Sequence, residues 1–204
     1  ILDVAHGDSQ VVHTYAKTAR DLGLQVVSGN ICTVEAARFY VDIDAALRVG
    51  LGAGAACNTR VVAGVGMPQL TAIMQIRNAY PNATLIADGG IGGAGDVVKA
   101  LAAGANVVML GRLLAGAQEA PGQRIFIDDT IWKVYRGMAS AQSLDEAGKE
   151  RNVEGVLGWI KETGSVLDII AELAMNIRAG FAYLGARNIQ ELQQRAVFQV
   201  ITSN

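Results

Sequence analysis

The stretch GLGAGAACNTR at positions 50–60 sets Cys57 behind a run of glycine and alanine, two residues ahead of Thr59. A thiol attacks only as its thiolate, so a reactive Cys57 needs surroundings that lower its pKa or take its proton. The small residues from Gly52 to Ala56 let the backbone fold tightly and leave a flat ligand access to the sulfur. The alternative is a small buried hydrophobe, and that is the reading for the other cysteine, Cys32. Two further segments suit an anionic ligand: ADGGIGG at 87–93 and LGR at 110–112. Their glycines allow close approach to backbone N–H groups. Asp88 ends an apolar run, where a carboxylate is costly without donors. His6 and His13 are not a metal pair by their spacing, and the two cysteines form neither a disulfide framework nor a zinc pattern.

These residues must be positioned by the elements around them. Apolar, β-branched runs at 1–5, 24–29, 46–51, 84–90 and 106–111 predict buried strands. Helical stretches alternate with them: Ser9 to Leu22, with Val11, Val12, Tyr15, Ala19 and Leu22 on one face, then Val34 to Val41, Pro68 to Tyr80 and Gly95 to Ala103. Strand alternating with helix argues a parallel sheet with helical crossovers. Nearly every strand runs into a polar or glycine-rich loop, and only a closed barrel opens all such loops on one face, with a phosphate pocket after its last strands. An open sheet gathers few of them. The expected fold is therefore a (β/α)8 barrel, of which the chain supplies the last five strand-helix units of one domain spanning 1–204. The first three units are expected to be absent or supplied by another chain. Beyond them come a hairpin at 124–137, a charged flap-like loop at about 139–164, and helices from Ser165 to Leu184 and Asn188 to Gln194.

With 17 basic and 19 acidic residues, the 204-residue chain shows no electrostatic footprint for nucleic acid. No apolar run approaches the length of a bilayer span, and no basic segment suggests a membrane surface. The expected setting is the cytoplasm and the expected partner a small molecule. A Rossmann reading of GLGAGAAC fails, because Cys57 stands where the third glycine of GxGxxG belongs.

Taken in order, DVAHGDS, SGN, LRVGLGAGAACNTR, GVGMPQLTAI, ADGGI, GDVVKALAAGANVVMLG, LAG, EAPG and YRGM resemble the IMP dehydrogenase/GMP reductase family along essentially the whole chain. The resemblance implies a nucleophilic Cys57 that forms a thioimidate at C2 of a purine nucleotide monophosphate. It implies that Asp88 binds the ribose and that Gly89, Gly90 and Gly111 line the phosphate with the Tyr135 hydroxyl. It also implies that Gly137 and Met138 pack along the base, and that Asp3 and Asn30 lie on the nicotinamide side. Asn30 equally suits a plain turn. Carbonyls of Gly52, Gly54 and Cys57 would ligate a monovalent cation such as potassium, and the assembly implied is a homotetramer. Many members carry serine where this chain has Ala55 and Arg112. Arg112 suits a charge-assisted phosphate contact, or else faces solvent.

The two activities of that family share the covalent step. The dehydrogenase converts IMP to XMP with NAD and uses an Arg-Tyr pair in a long flap to activate water. The reductase converts GMP to IMP with NADPH and needs a proton donor for departing ammonia. Between Met138 and Glu154 this chain has only ASAQSLDEAGKERNV, without an Arg-Tyr dipeptide, and KERNVEG is similar to a bacterial branch of GMP reductases. The resemblance then implies a Thr59–Glu154 proton relay. The dehydrogenase, and a non-catalytic nucleotide-binding paralogue, stay open as alternatives.

Overall fold

In the computed structural model, which describes residues 1–137 and 157–201, the five apolar runs become five parallel strands. They are β1 (Leu2–Asp3), β2 (Val27–Ile31), β3 (Ala46–Val49), β4 (Leu85–Asp88) and β5 (Val107–Met109), ordered β1-β2-β3-β4-β5. Every neighbouring pair is parallel, so each connection must cross over, and helices do so. The crossovers are α1 (Gln10–Asp21), α2 (Val34–Asp42), α4 (Gln69–Ala79) and α5 (Ala94–Ala102); α3 (Thr59–Val62) is a single turn before α4. Sequence places their starts: the Ser9 and Thr33 hydroxyls accept from the N–H groups of Val12 at 3.4 Å and Ala36 at 3.2 Å.

The central strand β3 is the best covered, with Leu47, Arg48 and Val49 all buried. Ile31, Leu85 and Ala87 flank it, and Ala37, Tyr40, Ile73, Ile76 and Val97 pack down from the helices. The expected apolar face of α1 is corrected. Val12 and Ala16 are its buried residues, whereas Val11, Tyr15 and Leu22 are exposed. The helix meets the core on the side facing α2, where His13 stacks on Phe39 with ring centroids 4.0 Å apart.

The C-terminal part is a second sheet of antiparallel strands, β6 (Arg124–Ile127), β7 (Thr130–Arg136) and β8 (Leu157–Lys161), preceded by the short α6 (Arg112–Ala115) and followed by α7 (Val166–Tyr183) and α8 (Ile189–Arg195). The β6–β7 turn puts Asp128 and Asp129 at φ 47° and 56°, the pair of positive angles that matches hairpin twist. Part of the segment expected as a loop at 139–164 is corrected: β8 pairs with β7 along its whole length, from Leu157↔Arg136 to Lys161↔Trp132. Helix α7 lies close on α5, where a Cβ at Gly180 would come within 2.7 Å of Val98 Cγ2.

Candidate active site

Parallel strands deliver the segments after β1 to β5 to one edge of the sheet, and that edge carries the candidate chemistry. After β3 the chain turns at Gly50 and Gly52, both at positive φ, and reaches Cys57, whose N–H donates to the Gly54 carbonyl at 3.0 Å. Cys57 is half-buried. Its Sγ lies 3.1 Å from Thr59 Oγ1, at the first residue of α3. A thiol and a hydroxyl at that distance can pass a proton. Gly89, at φ +98°, packs onto this loop so closely that a Cβ there would sit 3.0 Å from the Gly54 nitrogen. Gly90, at φ +76°, lies over Ala53 and Gln69. The two glycine-rich segments are thus in contact. Arg60 holds the loop from behind, with its guanidinium donating to the Met67 carbonyl and its stem beneath Gly52 and Gly66.

Gly50 joins this loop to Asp88. Its φ is +147°, and a Cβ would overlap the Asp88 carbonyl oxygen and lie 2.8 Å from Gln69 Oε1. Gly50→Ala is therefore expected to push β3 and β4 apart at their ends and lower stability by about 2 kcal/mol. Urea unfolding checks it, and an unchanged midpoint would show that the contact relaxes freely.

Asp88 is not alone at its strand end. Its Oδ2 accepts from Arg48 Nη2 at 2.7 Å and from Asn30 Nδ2 at 2.9 Å, while Asn30 Nδ2 also donates to the Gly50 carbonyl at 2.8 Å. Arg48 Nη1 reaches Asp3 Oδ1 at 2.7 Å. Asp3, Asn30, Arg48 and Asp88 are therefore one connected cluster. Burial alone pulls the Arg48 pKa down, but hydrogen bonds and charge from Asp88 and Asp3 outweigh it and leave it raised. Sequence reasoning missed Arg48. The available signal was a lone charge inside the apolar run ALRVGL, which has to find a carboxylate to be buried.

Beyond β4, the pairing of Asp88 with Met109 puts Gly111 two residues farther along the adjacent strand. Gly111 precedes α6, and among the described residues no atom beyond its chain neighbours lies within 4 Å of the position a Cβ would take. Arg112 is close enough to Tyr135 on β7 for its charge to act on the phenol: burial raises the Tyr135 pKa and Arg112 opposes the rise. Gly137 follows β7 directly. Met138 and Glu154 lie outside the described residues. Among those described, no group of three or more His, Cys, Asp or Glu could hold a metal ion, and no helix is long and apolar enough to cross a membrane. Cys32 is buried and its thiol pKa is raised by that burial.

A model of the IMP dehydrogenase / GMP reductase domain matches residues 1–204. The chain belongs to this family. It is 44% identical over 217 aligned positions to the inosine-5'-monophosphate dehydrogenase of Aquifex aeolicus, covering 99% of this chain and 44% of the relative. To the enzyme of that name from Thermoplasma acidophilum it is 42% identical, covering 100% of this chain and 44% of the relative. Among solved structures, it resembles a cysteine-to-alanine variant of GMP reductase from Trypanosoma brucei in complex with guanosine 5'-monophosphate, with a TM-score of 0.91 and 36% identity over 98% of this chain and 44% of that one. The five-stranded parallel sheet matches that barrel enzyme, and the chain spans less than half the length of these family members.

Proposed function

We propose that this chain carries the nucleotide site of a GMP reductase, with Cys57 as nucleophile. The carrying observation is the 3.1 Å contact between Cys57 Sγ and Thr59 Oγ1 on a loop packed against Gly89, next to Asp88. In this reading the Cys57 thiolate adds to C2 of GMP, and the exocyclic amine leaves as ammonia with a proton relayed through Thr59 from Glu154. The C2–N bond breaks as the S–C2 bond forms. When bound, NADPH would supply the hydride that C2 needs, and the Cys57 thiolate would then leave C2 to release IMP. Atoms and charge balance as GMP, NADPH and two protons giving IMP, ammonium and NADP.

Asp88 would offer Oδ1 to the ribose hydroxyls, since the two side-chain donors it meets among the described residues sit on Oδ2. Gly89, Gly90 and Gly111 would open backbone N–H groups to the phosphate, while Arg112, just after β5, and Tyr135 on β7 would add a guanidinium and a hydroxyl. Gly137 and Met138 would pack along the base. On the cofactor side, Asn30 Oδ1 is buried beside Asp88 without a hydrogen-bond partner among the described residues, so it suits a carboxamide or hydroxyl donor of the nicotinamide nucleotide. A potassium ion would be held by the carbonyls of Gly52, Gly54 and Cys57, an all-oxygen set in which the Gly54 carbonyl also accepts the Cys57 N–H. The assembly proposed is a cytoplasmic homotetramer.

The names of the Aquifex and Thermoplasma relatives favour a second reading, dehydrogenation of IMP with NAD. The absence of an Arg-Tyr dipeptide between Met138 and Glu154 argues against it. The full-length protein is to be given GMP with NADPH, and separately IMP with NAD, following reduced nicotinamide by absorbance. Loss of absorbance with ammonia release in the first is the expected result. Gain of absorbance with XMP formed in the second overturns the reductase in favour of the dehydrogenase, and silence in both overturns catalysis in favour of a nucleotide-binding paralogue.

A further inference from the structure

Asp3 on β1, Gly29 on β2 and Arg48 on β3 are register partners across three adjacent parallel strands. Side chains in such a row project to the same face, and the middle one ordinarily separates its neighbours. Here the middle residue has none. A Cβ on Gly29 would lie 2.6 Å from Arg48 Cβ, so only glycine leaves Arg48 this path. Through that gap Arg48 Nη1 meets Asp3 Oδ1 at 2.7 Å. On its other side Arg48 pairs in register with Ile86 of β4, and Asp88, two residues on and so on the same face, meets Nη2 at 2.7 Å. One guanidinium therefore ties the first strand to the fourth.

The side chain of Arg48 is only 9% exposed, against 20% for Asp88 and 59% for Asp3. A buried guanidinium bonded at both ends cannot turn without breaking a charged hydrogen bond. Asn30 adds a second donor to the same Asp88 oxygen, so these two bonds hold Oδ2 and neither engages Oδ1. We propose that Arg48 is the positioning residue of this site, aiming Asp88 at the ribose, and that Asp3 acts on nucleotide affinity through Arg48 without touching the nucleotide. This rests on Asp88 being the ribose ligand. Its consequence is energetic coupling between the rim at Asp3 and the nucleotide pocket at Asp88, because one guanidinium holds both carboxylates, Nη1 on Asp3 and Nη2 on Asp88.

Isothermal titration of GMP and of IMP into the full-length protein tests this. Arg48→Met is expected to weaken the better-bound nucleotide about 100-fold, the scale of stripping a buried carboxylate of its charged partner. Arg48→Lys restores only part of the loss, since an ammonium cannot hold two carboxylates in a fixed fork. Asp3→Asn, at an exposed position that tolerates substitution, is expected to cost about fivefold. Combined with Arg48→Met it should cost nothing further, because its effect has lost its carrier. An unchanged affinity in Asp3→Asn, or effects that simply add in the double variant, would overturn the inference while leaving the nucleotide site intact. Wild-type protein that binds neither nucleotide would overturn the functional reading and this inference with it. Should Arg48→Met fail to fold, Asp3→Asn and Arg48→Lys still decide.

Discussion

Replacing Cys57 by alanine is expected to lower kcat by about 10⁴-fold or more, the scale of removing a covalent nucleophile, while nucleotide affinity changes only a few-fold. The split follows from the site's layout. Asp88, Gly89 and the segment at Gly111 belong to other strand ends and keep their geometry when the sulfur is removed. Cys57→Ser should be as inactive as alanine, since a hydroxyl beside Thr59 has no comparable tendency to ionise. A purine nucleotide bearing a halogen at C2 gives a direct readout. Attack by the thiolate forms an S–C2 bond and expels halide, leaving an adduct that mass spectrometry can place. It should map to Cys57 and spare Cys32, which is buried with its pKa raised. Labelling of Cys32 instead, or full turnover in Cys57→Ala, would remove Cys57 from the mechanism.

How much of this could be read from the chain depends on whether a residue's role is local. The strands β1 to β5 were legible because each is a short apolar run closed by glycine or a polar residue, and their crossovers because Ser9 and Thr33 are capping residues before periodic segments. The glycines around Cys57 were legible as a bare loop, although the demand at Gly50, contact with the Asp88 carbonyl, comes from a strand distant in sequence. Arg48 and Gly29 were not legible. The lone charge in ALRVGL says only that Arg48 needs a carboxylate; which carboxylates it meets, and the demand for glycine at position 29, come from register across three strands. Strand β8 was missed for a related reason: Trp159 is half exposed and charges follow it, so its conformation is set by pairing with β7 more than by its own pattern. On α1 the apolar period was real, but periodicity does not say how much of a face has a neighbour.

The second large effect is expected at Lys133, within the segment expected as a hairpin at 124–137. Its side chain is buried on β7, and Nζ donates to the carbonyls of Ala117 at 2.5 Å, of Gln118 at 3.4 Å, and of Ala120. One ammonium thus gathers a turn, alongside the Ala120 N–H on the Ala117 carbonyl and Arg124 Nη2 on that of Gln118, and that turn carries Glu119, whose Oε2 accepts the Val166 N–H at the start of α7. Lys133→Met keeps the length of the stem and removes all three donors. The Ala117 carbonyl keeps the Ala120 N–H and the Gln118 carbonyl keeps Arg124 Nη2, so the loss is that of the charge-assisted bonds from a buried ammonium, an expected cost of about 3 kcal/mol, which in a chain of this size lowers Tm by roughly 6–12 °C. Lys133→Arg should not rescue it, because a planar fork is too wide for a pocket shaped around a single nitrogen. The loss should reach the site as well. Tyr135 lies two residues along the same strand, so in any Lys133→Met protein that remains folded, GMP is expected to bind several-fold more weakly as Tyr135 and Arg112 lose their fixed separation. Differential scanning calorimetry and a GMP titration on the same sample measure both. A Tm within about 2 °C of the wild type would mean that the turn draws equivalent donors from water, and that Lys133 is a replaceable anchor.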